Sequence, residues 1–345
     1  MATHLMHHRL SCLAIQAFGI ALVLAAMGAK ASRMDTVQTQ QPQLLPAQAT
    51  EAESAGLWQA AWRDLQLLSA DEMAGRSNGS AGSVLAQEYL QQRFASLGLT
   101  ALTADYRQPF EFNVGFSKKH GVNLMAKRQG CRYPEQYIVI TAHYDHLPKR
   151  GRTVFNGADD NASGVAGLLY LAGILQQQCP AYSYLFVATD AEEHGLDGAK
   201  AFLANPPVPQ AQMMLNINLD MIGRGEKRNR LYLLGKRSLP HITLMPRAEK
   251  NGVKLIMANE NRSAGRGSAT VDWSNASDHG AFRRAGIPYL YFGVDVHPDY
   301  HTPDDDWQRI KPEFFRASLE QIAATLLWLE QQTPAQLQFG RKPSG

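Results

Sequence analysis

The stretch Tyr184-Leu185-Phe186-Val187-Ala188-Thr189-Asp190-Ala191-Glu192-Glu193-His194-Gly195 decides the fold class. Residues 184–188 form a short, unbroken apolar run, which predicts a strand buried on both faces. The acids and Gly195 that follow predict a turn. Adjacent side chains leaving a strand end point to different places. One carboxylate can then hold a metal ion while its neighbour handles a proton, which is what metal-assisted hydrolysis needs. A Glu-Glu dipeptide alone is usually solvated surface, so the meaning of Glu192-Glu193 depends on its company.

Outward from this run the same grammar repeats. Residues 137–142 predict a strand ending in His143-Tyr144-Asp145, and residues 213–219 a strand ending in Asp220. Residues 287–292 predict a further strand, followed after a short loop by His301-Thr302-Pro303. The small-residue loop Gly157 to Gly164 leads into a helix over 162–177. Helices are also predicted over 57–68, 80–97, 198–204, 241–251 and 312–331. Strands are predicted over 231–234 and 254–257, and over 106–116 and 122–127, the last two joined near Lys118 to Gly121. Apolar strands alternating with helices predict an α/β fold in one domain: a mixed, mostly parallel central sheet with helices on both faces. Ligands of such sheets bind beyond the carboxyl ends of the strands. That edge collects His143, Asp145, Glu192, Glu193 and Asp220. Imidazoles and carboxylates together suit Zn²⁺ or another divalent metal.

The chain has 345 residues, 45% hydrophobic and 19% charged, with a formal net charge of +3. This composition fits a globular protein with a sizeable core. His7-His8-Arg9, the apolar stretch from Leu13 to Met27 and Ala29-Lys30-Ala31 predict a secretory signal peptide over 1–31, cleaved after Ala31. A membrane anchor is the competing reading, but spanning a bilayer takes about 20 apolar residues. No stable anchor is expected after cleavage, and the location is exported, periplasmic or secreted. Residues 32–55, rich in Gln, Ala, Thr and Pro, read as a flexible leader, 56–335 as the folded domain and 336–345 as a flexible tail. Without 1–31 the net charge is about +1, which excludes a nucleic-acid footprint. Cys131 and Cys179 each precede a predicted strand at similar distance, so if those strands are parallel neighbours the two sulfurs lie near one end of the sheet. In an oxidising compartment they form either a disulfide or two separate buried thiols.

With these motifs in view, the chain resembles the M28 zinc aminopeptidases, a family of co-catalytic two-metal exopeptidases. The resemblance runs from the Glu72-Met73-Ala74-Gly75-Arg76 segment to the final helix. It rests on Thr141-Ala142-His143-Tyr144-Asp145, Gly157 to Gly164, Asp190 to Gly195, Asn218-Leu219-Asp220-Met221, Ser277-Asp278-His279 and His301-Thr302-Pro303, in the family's order. It implies two Zn²⁺ ions, with Asp160 bridging them. His143 and Asp220 would complete one site, and Glu193 and His301 the other. Glu192 would be the general base. Asp145 would accept the His143 ring N–H and fix its tautomer. Tyr300, just before the last metal His, would assist at the oxyanion. The resemblance also implies a cis Asp160–Asn161 peptide and, as partners, peptides with a free N-terminus. Asp278 and His279 are expected to support the site, Asp304 to Asp306 to cap loops, and His146 and His194 to lie at the rim or on turn surface.

Three rivals share parts of this pattern. A single-zinc glutaminyl cyclase is similar in scaffold, but the intact Asp159-Asp160-Asn161-Ala162-Ser163-Gly164 loop favours a two-metal hydrolase. A non-catalytic binding module would lose ligands or the base, and this chain keeps all of them. A dipeptidase or carboxypeptidase on the same fold would differ only in pocket residues.

Overall fold

Alternation along adjacent central strands builds the body of the molecule. The computed structural model describes residues 51–225, 229–247, 249–263 and 270–337. The expected signal peptide, most of the leader and the tail beyond Leu337 lie outside the described residues. In chain order the strands are β1 (Thr100–Ala101), β2 (Arg107–Val114), β3 (Ser117–Arg128), β4 (Tyr133–His143), β5 (Tyr182–Thr189), β6 (Met213–Leu219), β7 (Arg230–Leu234), β8 (Lys254–Met257), β9 (Asn261–Ser263), β10 (Thr270–Asp272) and β11 (Tyr289–Gly293). The helices are α1 (Glu51–Leu68), α2 (Ala81–Ser96), α3 (Gly164–Gln176), α4 (Asp197–Ala204), α5 (His279–Arg284), α6 (Pro312–Leu329) and α7 (Pro334–Leu337).

On β4, Ile138, Ile140 and Ala142 point to one core and Tyr137 and Val139 to another. On β5, Tyr184, Phe186 and Ala188 join the first core and Leu185 and Val187 the second. This period-two split is what a strand buried on both faces must do. The first core is closed by α1, α2, α3 and α6, the second by α4 and α5. Every residue of α3 from Gly164 to Leu175 is buried, because the helix is wedged between the sheet and α1 and α6.

The sheet runs β1-β3-β5-β4-β6-β11-β7-β8, with β2 paired to β3 outside this path. The four central strands, β5, β4, β6 and β11, are mutually parallel. Antiparallel pairings flank them, β3 with β5 and β7 with β11. The sheet is mixed, as expected, with its parallel character concentrated at the centre. Register aligns His143 with Thr189, Thr141 with Asn218 and Leu219 with Phe292, so the carboxyl ends of the central strands finish together. A disulfide joins Cys131 to Cys179, with Cα atoms 5.8 Å apart, at the opposite end of β4 and β5.

Three local expectations are corrected. No helix covers 241–251; a 3-10 turn over Pro240–Leu244 ends at Met245, which is extended (ψ 127) because Pro246 follows it. The hairpin between β2 and β3 turns at Gly115-Phe116, not near Lys118 to Gly121. Val114 pairs with Ser117, and Gly115 takes the positive φ that a two-residue loop demands. Helix α1 begins at Glu51, inside the stretch expected to be leader. Among the described residues no helix is long and apolar enough to cross a membrane.

Candidate metal centre

Each strand end delivers a donor to one point. His143 is the last residue of β4, and Asp220 follows β6 directly. Asp160 sits in an irregular turn over Ala158–Ser163 that leads into α3. This turn holds the cis Asp160–Asn161 peptide. Asp305 secures it by accepting the backbone N–H of Asp159 (2.9 Å) and of Asp160 (3.0 Å). Glu192 and Glu193 lie in the turn after β5, where Ala191 has positive φ. His301, also at positive φ, comes from the loop after β11.

His143 Nε2 lies 3.4 Å from Asp160 Oδ1 and 3.4 Å from Asp220 Oδ1. His301 Nε2 lies 3.1 Å from Asp160 Oδ2 and 3.4 Å from Glu193 Oε2. Zinc bonds of about 2.0–2.2 Å in a tetrahedron place donor atoms about 3.3–3.6 Å apart; three of these four separations fall in that range and the His301–Asp160 pair is slightly closer. Asp160 presents one oxygen to each group, as a bridge requires. Asp160 Oδ2, Glu193 Oε1, Asp220 Oδ1 and His301 Nε2 are all buried without a hydrogen-bond partner. Unsatisfied buried polar atoms are rare, and here they converge. The donor set therefore fits a divalent cation. Glu192 stands beside it, half-buried, its carboxylate outside both groups.

The electrostatics of the metal-free protein follow from this crowding. Burial pushes the Glu192 carboxyl well up; His143 opposes the shift, and Asp220, Asp278 and Glu193 reinforce it. Burial works against the charge on Asp160 too, but the His143 and His301 imidazoles hold it well below the usual carboxylate range. Burial disfavours the charged His301, yet Asp160 and Glu193 raise it to about 10. Deeper in, Asp278 is pushed up to about 6 by burial, and it accepts the Thr189 hydroxyl at 2.5 Å. Asn218 bridges Thr141 and Ser277, tying β4 and β6 to the loop before α5.

Several expected roles look different in place. The His143 ring Nδ1 faces the main-chain carbonyl of Asp145 at 3.0 Å, not its carboxylate, which is 3.7 Å away. The Asp145 carboxylate instead accepts the backbone N–H of Glu192 (3.1 Å) and of Glu193 (3.4 Å), so it shapes the turn that carries both acids. Tyr300 stacks on His301 with ring centroids 3.7 Å apart. Burial and the four acids Asp160, Asp220, Glu193 and Glu192 raise its hydroxyl, keeping it a neutral donor. His194 is exposed, as expected, and lies against Phe112. His146 is not at the rim: it is 2% exposed and packed beside Asp160 and Glu193.

Arg76, the last residue of the Glu72–Arg76 segment, has a role that the sequence left unassigned. Its fully buried guanidinium donates to the carbonyls of Tyr144 (2.7 Å), Asn156 (2.7 Å), Gly157 (3.0 Å) and Leu68. It thereby fastens the end of β4 to the loop before Asp160. Burial lowers it to about 10, against the pull of Asp160, Asp305, Asp145 and Glu193, so it stays charged at neutral pH. The signal lay in Gly75: a Cβ there would meet the Leu147 and Phe155 carbonyls at 2.4 and 2.5 Å, which marks a tightly packed turn.

The family model described as Peptidase family M28 matches residues 123–326. The chain belongs to peptidase family M28. Aminopeptidase YwaD of Bacillus subtilis (strain 168) is 28% identical over 247 residues, covering 68% of this M28 chain and 48% of the relative. The match thus spans about half the length of that curated relative. Among solved structures, a zinc aminopeptidase from Bacillus subtilis is similar with a TM-score of 0.61 at 16% identity, covering 83% of this chain and 98% of that one. Porphyromonas gingivalis glutaminyl cyclase is similar with a TM-score of 0.60 at 22% identity, covering 78% and 97%. At such identities the two structures bear on the fold of the M28 chain alone.

Proposed function

We propose that this M28 protein is an exported aminopeptidase that hydrolyses the first peptide bond of peptides with a free N-terminus. Two Zn²⁺ ions would be held by His143, Asp160 and Asp220 and by Asp160, Glu193 and His301. The observation that carries the reading is a pair of donor groups sharing Asp160, with Glu192 adjacent to Glu193 yet bound to neither group. Bound zinc supplies Lewis-acid activation of water and of the scissile carbonyl. Glu192 takes the proton of the attacking water and later gives it to the leaving amine. Its buried, acid-rich surroundings favour the protonated form that the second step uses. Tyr300 donates a hydrogen bond from its neutral hydroxyl to the developing oxyanion. The carboxylates around the centre attract the α-ammonium, which restricts cleavage to the first bond. The Cys131–Cys179 disulfide supports export to an oxidising compartment.

The test is a pair of variants assayed on peptides with free and acylated N-termini. Glu192→Gln is expected to keep its zinc and lose about 10²–10⁴ in kcat/KM. Glu193→Ala is expected to lose metal on dialysis. Wild-type turnover in Glu192→Gln would remove the base assignment, and equal cleavage of acylated peptides would remove the exopeptidase claim. A glutaminyl cyclase-like reaction with one zinc is the second reading, since Porphyromonas gingivalis glutaminyl cyclase shares the fold. It would release ammonia from N-terminal Gln and no amino acid. A dipeptidase or carboxypeptidase would reveal itself by its products.

A further inference from the structure

The ligand set proposed above uses two imidazoles, and the same cavity holds a third. His146 lies three residues beyond His143, and both of its ring nitrogens are buried without a hydrogen-bond partner. Its Nδ1 approaches Glu193 Oε1 to 2.9 Å and Asp160 Oδ2 to 3.6 Å, yet it is aligned for no hydrogen bond with either. These separations bracket the roughly 3.3–3.6 Å expected between donors on one tetrahedral zinc. His146, Asp160 and Glu193 each offer an atom within 4.8 Å of the other two, the same closeness that His143, Asp160 and Asp220 achieve. The ring meets His301 edge-on at 5.7 Å, so the two imidazoles approach the acids from different directions. The backbone makes room for it: a Cβ at Gly157 would come within 2.5 Å of His146 Cγ and Cδ2. A buried imidazole with no hydrogen-bond partner, close to two unsatisfied carboxylate oxygens yet bonded to neither, is placed as a cation ligand and not as a packing residue.

We propose that His146, through Nδ1, is a ligand of the second metal site together with Asp160, Glu193 and His301. The inference rests on the two-metal reading above. It makes the sites unequal. The first has three protein donors, His143, Asp160 and Asp220, and keeps a position open. The second has four and is closed, the arrangement of sites that hold zinc firmly. The extra nitrogen also turns the second site toward zinc or cobalt and away from magnesium and manganese.

The test counts metal and reads coordination without using activity. Wild type, His146→Gln, His146→Cys and His301→Ala are loaded with Co²⁺ or Zn²⁺, dialysed against a weak chelator and analysed for metal. Wild type is expected to retain two equivalents. His146→Gln is expected to lose one equivalent, or to bind it at least tenfold more weakly, and to change the visible Co²⁺ spectrum. His146→Cys loaded with Co²⁺ is expected to show a near-ultraviolet thiolate-to-cobalt band, which arises only if position 146 touches the ion. Melting of each variant in excess chelator, compared with chelated wild type, separates metal loss from misfolding. Wild-type stoichiometry, affinity and spectrum in His146→Gln, with no thiolate band in His146→Cys, would overturn the inference. If His301→Ala is depleted in the same experiment, the two-metal reading survives that failure. A wild type that retains fewer than two ions would overturn both.

Discussion

Glu192 and Glu193 are neighbours in sequence with unlike surroundings. Glu193 faces His146 and His301, while Glu192 is set among His143, Asp220 and Asp278. The turn that separates them is held by Asp145, which collects both backbone N–H groups, and by Asp190, whose carboxylate accepts from Val122 and Ala191. The difference between the two acids is thus fixed by backbone, before any metal is considered. At a second buried residue the environment makes a measurable pH prediction. His279 is completely enclosed, faces the Trp273 carbonyl through Nε2 at 2.8 Å and lies against Tyr289 and Tyr291. Burial lowers it to about 4, with Arg283 and Arg284 adding to the shift. The unfolded chain takes up this proton near pH 6.5 and the fold only near 4. The stability it contributes is therefore present above about pH 6.5 and lost as pH falls toward 4, up to about 3 kcal/mol. Urea melts at pH 7 and 4.5 check this: His279→Gln is expected to shrink the difference between the two, and an unchanged difference would refute it.

At the scale of elements, His143, Asp220 and the Glu192-Glu193 pair were legible because each follows a strand whose apolar run is unmistakable, whereas Asp160 and His301 sit in loops that the family's motifs marked. The four central strands were readable from burial on both faces, and their shared edge followed from α/β topology. What was not legible depends on tertiary space. His146 follows a strand end like its neighbours, but nothing in the sequence tells that its ring turns inward over Gly157. Arg76 precedes the matched segment 123–326 and acts only through carbonyls brought to it by folding. The bend before Pro246 and the hairpin turn at Gly115 are local features, and there proline and glycine override the apolar pattern. The disulfide gives a prediction at this scale. Cys131 and Cys179 tie the starts of β4 and β5 across 48 residues of chain. Loop-closure entropy for that length corresponds to about 4 kcal/mol at most. The metal centre lies at the other end of β4, about 23 Å away by the rise of the paired strand β5 from Tyr182 to Thr189. Cys131→Ser with Cys179→Ser is expected to lower the melting temperature by several degrees and leave kcat/KM within about twofold. A large loss of turnover in a folded double variant would refute the separation of the two ends.

Across the whole molecule, stability and chemistry are carried by different parts. The two cores around the sheet are apolar, and none of the donor side chains is a member of them. Unlike small zinc domains, which unfold without metal, this chain has enough buried surface to fold alone. The centre works against that stability, since it gathers Asp160, Glu193, Asp220 and half-buried Glu192 into one cavity over a few imidazoles. A cation that binds only the folded state stabilises it by mass action, about 2.7 kcal/mol at a free concentration one hundred times Kd. Chelation should therefore abolish peptidase activity and lower the melting temperature, while the far-ultraviolet circular dichroism and a cooperative transition persist. Zinc added back should restore both activity and melting temperature, with the latter rising with zinc concentration. If chelation left activity and melting temperature untouched, the metal would have no part in either, and the converging donors would be no more than an acidic cavity. If it unfolded the protein outright, the cores would not be self-sufficient, and the separation of fold from chemistry would fail.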